Sequence, residues 1–393
     1  MLTQRQLFQQ YVAQTSDFPL ALEIERAEGV YLYDKDKSYI DLISGIGVSN
    51  VGHRHPKVIQ AIQEQLDKYL HIMVYGEYVQ SPQVKLAQAL SATLPEHLNN
   101  VYFLNSGSEA VEGAIKLAKR YTGKPDVITF KNAYHGSSHG ALSASGDEQF
   151  KQNFRPLVPG FKHLKFGCEK GINKIDSNVA AVLIETVQGE AGVVQADTAY
   201  FRQLREKCDE TETLLIFDEI QCGSGRTGKL WAFEHYGVTP DILVSAKGLG
   251  GGMPIGCFIA PQEIMGVLKN DPILGHISTF GGHPVNCAAA LATLKTIEEE
   301  KLLETVPQKE AMIRDLLQHP KIKEIRSIGL MMAVEFESFE VVKPIIDKAI
   351  ELGVITDWFL FNDYSMRIAP PLTIAEDEIR VACGKIMEAI ENP

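Results

Sequence analysis

A chain of 393 residues is long enough to bury a large core, and two domains are the natural starting expectation. Its 45% hydrophobic and 22% charged residues are ordinary for a globular protein, and a net charge of −12 without a basic cluster argues against nucleic acid or an anionic membrane as partner. The six cysteines (168, 208, 222, 257, 287 and 383) form no CxxC pair and no apolar run of 18 residues occurs, so we expect reduced thiols, no metal and a cytoplasmic location.

In chain order, the first 45 residues, which carry no apolar leader-like stretch, include GVYLYDKDKSYIDL, two short alternating strands around a charged turn. GHRHP (52–56) places His53 and His55 two residues apart. No carboxylate or cysteine set accompanies them, so turn and packing roles are expected before a metal. From about 50 to 285, helical stretches such as 56–70 and 108–121 separate the apolar runs 101–104, 127–130, 179–185, 214–219, 242–247 and 255–260. Fully apolar runs spaced by helices predict a mostly parallel sheet covered on both faces. A long helix is expected over 284–300, then helices near 307–319, 340–352 and 375–390 with strands near 330–336 and 365–368. The fold class is therefore α/β: a large domain (49–283) and a smaller α+β domain built from residues 1–48 and 284–393.

Ligands of open parallel sheets gather beyond the carboxyl ends of the strands. The polar residues there are 105–108, Tyr134 and His135, Glu185 to Glu190, Asp218 and Glu219, and Lys247. Lys247 precedes GLGGG, whereas a P-loop lysine follows its glycines, and the dinucleotide fingerprint fails because its third glycine falls on Met253. A lysine in poor solvent at a strand end suits imine chemistry, although it also fits a surface residue after a strand. Asp218 and Glu219 are consecutive on a strand, so only one can face a ligand; either could instead cap the following helix. At NSGSE, the N–H groups of Gly107 and Ser108 fall at a helix start, where phosphate is favoured; an ordinary cap by Ser106 or Ser108 fits as well. Tyr134 could stack on a planar ring or simply fill core. Together these residues describe a site for pyridoxal 5'-phosphate, PLP. Lys247 would take its aldehyde, Asp218 would keep its ring nitrogen protonated, and the lysine would move a proton between carbons.

Residues from about 20 to 385 resemble the class III (subgroup II) aminotransferases, the family of the acetylornithine, ornithine and 4-aminobutyrate enzymes. The likeness is carried by GIGVSNVGHRHP, LNSGSEAVEGAIKLAK, YHGSSHGALSASG, IETVQGEAGV, IFDEIQCGSGRTGKL, SAKGLGGGMPIG, STFGGHP and RIAPPLT. The resemblance implies a fold-type I PLP-dependent transferase with Lys247 holding the cofactor and Asp218 its ring nitrogen. It places Gln221 near the ring hydroxyl, Gly107 and Ser108 on the phosphate and Tyr134 on the ring. Ser278 and Thr279 match residues reaching the neighbouring subunit's site, with Thr279 on its phosphate, so a homodimer with shared sites is implied. Arg367 matches the arginine gripping the α-carboxylate of glutamate or 2-oxoglutarate, and Glu190 the acid that pairs with it when an ω-amine binds instead.

Two substrate-side positions depart from this pattern, besides His283, where Asn is usual and only a turn is affected. Ser137 stands where the family's HGR carries an arginine for the distal carboxylate, a contact whose loss costs about 2–5 kcal/mol when buried. Ile46 replaces the substrate-contacting tyrosine of ornithine enzymes; Arg54 and His139 are the candidate substitute cations. The reading is transamination from an acetylornithine-like or other ω-amino donor to 2-oxoglutarate. Its alternatives are an aminomutase of the glutamate-1-semialdehyde type, which would have no need of Arg367 for an external oxoacid, and a cofactor-binding regulator without turnover.

Overall fold

The structure is a computed structural model and describes residues 2–393. The charged turn near the N-terminus folds as expected: Asp34 Oδ1 accepts the N–H groups of Asp36 and Lys37 at 2.8 and 2.7 Å. That turn joins β2 (Tyr31–Tyr33) to β3 (Ser38–Asp41), with β1 (Arg26–Glu28) alongside. The apolar runs then become β4 (Asn100–Leu104), β5 (Asp126–Phe130), β6 (Phe161–Leu164), β7 (Val179–Glu185), β8 (Leu214–Asp218), β9 (Ile242–Ala246) and β10 (Gly256–Ala260). The C-terminal part adds β11 (Glu324–Ile328), β12 (Met331–Glu335), β13 (Val354–Ile355), β14 (Trp358–Phe359) and β15 (Asn362–Ile368).

The seven central strands pair in the order β4-β10-β9-β8-β7-β5-β6. Every pairing is parallel except those of β10, which runs against both β4 and β9. Every residue of β7 to β10 is buried, as continuous apolar runs require when helices cover both faces. Because six strands run the same way, their carboxyl ends lie along one edge of the sheet. A second sheet, β1-β2-β3-β13, joins the two chain ends through a parallel pair, and a third is ordered β11-β12-β15-β14. The Pro284–Glu299 helix links the layers: Cys287, Ala290 and Leu294 pack into the core beside the large sheet, while Ala289 and Ile297 belong to the C-terminal core.

Five strands lie outside the sequence expectation, among them the three-residue β1, which precedes the GVYLY run. β6 (FKHL) is a half-exposed edge without an apolar run, and β11, β13 and β14 are short or broken by polar residues. The helix expected from 307 begins at Leu302; Pro307 sits in its second turn, where a missing N–H costs one bond and not the helix. No helix among the described residues is long and apolar enough to cross a membrane, and no cluster of three potential metal ligands occurs there. His53 instead pairs with Asp41 at 2.8 Å and His55 with Glu300 at 3.4 Å.

One buried cation ties these parts together. Arg226, 1% exposed, donates to the carbonyls of Leu330 and Pro370 and to Asn50 Oδ1, while Asn50 Nδ2 reaches Ser224 O at 2.8 Å. Burial pushes its guanidinium down to about 9, against the opposing charge of Asp41. Arg226→Met keeps the volume but leaves three buried acceptors unmet, each worth about 1–3 kcal/mol. Urea unfolding should show a loss of about 3 kcal/mol or more; a change within about 0.5 kcal/mol would deny the clasp its role.

Candidate active site

The shared strand edge opens on a cavity of ≈ 670 Å³ walled by Gly107, Ser108, Tyr134, Ser137, Glu190, Asp218, Gln221 and Lys247 among others. β9 ends at Ala246, and Lys247 takes a φ of 45°, the left-handed region that costs a side chain-bearing residue about 1–3 kcal/mol. That turn breaks the strand and sets the lysine on the cavity wall, where its Nζ makes no hydrogen bond or ion pair with the described residues. Burial lowers its pKa and the Arg367 charge works in the same direction, against Glu190, Asp218 and Glu185. The glycines that follow make room for this turn. A Cβ at Gly248 would lie 2.4 Å from Asn50 Nδ2, and Gly252, with φ 105°, lies on the cavity wall.

The two consecutive acids separate as strand geometry demands. Asp218 faces the cavity; its Oδ1 accepts the Ile220 N–H at 3.0 Å and its Oδ2 accepts from His135 Nδ1 at 2.7 Å. The far nitrogen of that ring, His135 Nε2, is buried without a partner. Glu219 points elsewhere and accepts from Thr186 Oγ1, Ala232 N and Phe233 N at 3.0, 2.6 and 2.6 Å. Burial still pushes its carboxyl up to about 7. Across the ladder from Asp218 stands Glu185, whose oxygens accept the N–H groups of Gly189 and Tyr134 at 3.2 and 3.1 Å. Burial, and then the Asp218 charge, raise the Glu185 carboxyl well above its ordinary value.

At the start of the Gly107–Thr122 helix the cap is Ser106, whose Oγ accepts the Glu109 N–H at 3.2 Å. The Ser108 hydroxyl is engaged with Ser138 Oγ at 2.7 Å, and Ser138 in turn donates to Glu112. Gly107 and Ser108 thus offer a phosphate the first-turn N–H groups rather than a hydroxyl. Tyr134 is half-buried on the wall, its OH 3.3 Å from Ser137 Oγ. Arg367 is held behind Glu190 by two bonds, Nη1 to Oε1 at 2.9 Å and Nη2 to Oε2 at 3.0 Å, while its Nε reaches Asp357 at 2.8 Å. Gln221 Nε2 donates to the same Glu190 at 3.0 Å. Burial would raise the Glu190 carboxyl, but the guanidinium outweighs it and holds the group at about 2.

Four expected residues lie off this cavity, Arg367 among them. Ile46, with φ 64°, lines a small adjoining pocket with Gln221 and Arg367. Ser278 and Thr279 line a separate cleft beside Asn105 and Glu109, and Ser278 Oγ accepts from Asn105 at 3.1 Å. Neither substitute cation is on the wall: Arg54 is exposed, and His139 is bonded to the Pro156 carbonyl at 2.8 Å. His135, Glu185 and Asp357 received no role from the sequence. His135 and Glu185 left a trace there, as polar residues at strand ends; Asp357 left none.

A free, partly buried amine, a carboxylate, an aromatic face and a helix start on one cavity match in turn the aldehyde, ring nitrogen, ring and phosphate of pyridoxal phosphate. Comparison with known proteins agrees. The family described as aminotransferase class-III matches residues 11–390. An acetylornithine aminotransferase of Methanopyrus kandleri is 41% identical over 391 residues, 98% of each chain. The ornithine aminotransferase of Toxoplasma gondii superposes with a TM-score of 0.91 at 31% identity, over 98% of this chain and 93% of its own. A PLP-bound amine transaminase from an uncultivated Pseudomonas species gives 0.89 at 28% identity, over 97% of both chains. With family, fold and site in agreement, the chain belongs to the class-III aminotransferases, enzymes of fold type I whose cofactor is PLP.

Proposed function

We propose that the enzyme transfers an amino group from an ω-amino donor to a 2-oxoacid. Acetylornithine is the donor that the relatives' names suggest for a first assay, and 2-oxoglutarate the acceptor that the family resemblance carries. The observation that supports this most is the Arg367–Glu190 pair bordering the cavity that holds Lys247. Paired, the arginine is neutralised and an uncharged donor segment can lie against it; released from Glu190, it offers a planar fork to the α-carboxylate of an oxoacid. The bound cofactor supplies the electron sink for the chemistry. Lys247 would hold it, with its Nζ taking up and returning the substrate proton, and Asp218 would keep a proton at the ring nitrogen. Tyr134 would cover the ring, Gln221 would sit by its hydroxyl, and the N–H groups of Gly107 and Ser108 would take the phosphate.

We also read the enzyme as a cytoplasmic homodimer with shared sites. Its six free cysteines suit a reducing compartment. The segment bearing Ser278 and Thr279 is flanked by exposed apolar residues, among them Ile273 (72%) and Phe280 (54%), with Val79 (94%) in another exposed loop. Such side chains are normally covered by a partner. Thr279 could then serve a neighbouring site, which accounts for its position off its own cavity.

The test is a donor half-reaction. The purified protein should be yellow, and the colour should fade on mixing with a suitable amine and return when a 2-oxoacid is added. A colourless, cofactor-free protein, or isomerisation of one substrate without an acceptor, would sink the reading.

A further inference from the structure

The guanidinium of Arg367 is held on two sides. Its Nη1 and Nη2 form the fork that grips Glu190, while its Nε donates to Asp357 Oδ1 at 2.8 Å. The guanidinium carbon lies over the buried Phe359 ring, 4.4 Å from its centre, a contact that fixes the plane. The backbone brings the two residues together: the Arg367 N–H donates to the Asp357 carbonyl at 2.8 Å, and Thr356 Oγ1 donates to the Arg367 carbonyl at 2.6 Å. Glu190 is tethered differently. It also accepts from Gln221 Nε2 at 3.0 Å and from the Leu360 N–H at 3.1 Å. It can therefore leave the fork and keep two donors, whereas Arg367 would keep Asp357 and the Trp358 carbonyl, 3.3 Å from Nη2.

Resting on the transaminase reading, we propose that Asp357 is a positioning residue that keeps Arg367 in place while Glu190 gives way to the α-carboxylate of a substrate. The two edges of the guanidinium then have separate duties: the fork changes partner and Nε does not. A buried cation stripped of its partner is costly, and the Asp357 charge covers Arg367 between the departure of Glu190 and the arrival of the substrate. Without that charge two effects run the same way. Glu190 no longer shares the guanidinium with a second carboxylate and is harder to displace. A fork no longer pinned at Nε also follows Glu190 away from the place where a substrate carboxylate would meet it. A donor that reacts through an ω-amine leaves the Glu190–Arg367 pair closed and makes no call on Asp357.

The experiment bleaches the holoenzyme with two kinds of amine. Glutamate brings a carboxylate to the reacting carbon and needs the fork. N-acetylornithine or n-butylamine, whichever bleaches the parent faster, reacts at an ω-amine or a plain amine and does not. In Asp357→Asn, which keeps the side chain's size, the glutamate concentration giving half-maximal bleaching rate should rise at least about tenfold, and that of the second amine by less than about threefold. 2-Methylglutamate, which has no Cα proton to lose, should bind the variant more weakly by the same factor, read from the cofactor spectrum without turnover. Asp357→Glu keeps the charge and should fall between the parent and Asp357→Asn on glutamate. Equal losses with both amines would make Asp357 a merely structural residue and overturn the inference. So would an unchanged glutamate constant in Asp357→Asn, or a parent that the second amine bleaches and glutamate does not. Those results leave transamination standing, whereas a parent that no amine bleaches removes the broader reading.

Discussion

Lys247→Ala should reduce turnover to background, a loss of at least about 10³-fold in kcat with saturating cofactor, while the fold stays intact. Two contributions disappear together: the covalent hold on the cofactor and the base that moves the substrate proton, the latter alone worth about 10²–10⁴-fold. Stability should barely change, because Lys247 Nζ makes no hydrogen bond or ion pair with the described residues and its burial disfavours the charged form. Alanine inherits the φ of 45°, so the backbone strain remains and is not released by the substitution. A melting temperature near that of the parent would separate lost chemistry from lost structure. Turnover within tenfold of the parent would remove Lys247 from the reaction.

Lys247 was legible in the sequence because a charge at the end of a buried apolar run must have somewhere to go. The same reasoning picked out Asp218, and the consecutive Glu219 found its separate partners in the backbone of Ala232 and Phe233. The large sheet was equally readable, since β7 to β10 are buried on both faces and admit few polar residues. Legibility fails where a residue's role depends on neighbours distant in sequence or on strands too short to carry a pattern. Asp357 meets Arg367 only because the two-residue β14 folds back on β15. Glu185 differs from an ordinary strand-end acid only through its register opposite Asp218. Ile46, Ser278 and Thr279 were placed by family resemblance alone, and they lie outside the main cavity of the single chain. The exposed apolar side chains near Thr279 indicate what else its role would require, a second chain.

Asp218→Asn should retain cofactor and lose about 10²–10⁴-fold in kcat, the range for a positioned charge or proton acting on a transition state. Asparagine has the size of aspartate, and its amide oxygen can still accept the Ile220 N–H. What it lacks is the negative charge that keeps a ring nitrogen protonated. The substitution also disturbs His135: opposite an amide NH2, Nδ1 must become an acceptor, which moves the ring proton to Nε2. That atom is buried without a partner, so the variant should also lose about 1–3 kcal/mol of stability. Glu185 cannot take over, because its oxygens are occupied by two backbone N–H groups and burial disfavours its charged form. Cofactor content, measured after release in base, should stay near one per chain because Lys247 and the helix start at Gly107 remain. Full cofactor with near-normal turnover would take the ring nitrogen away from Asp218, and loss of the cofactor itself would make the residue an anchor instead.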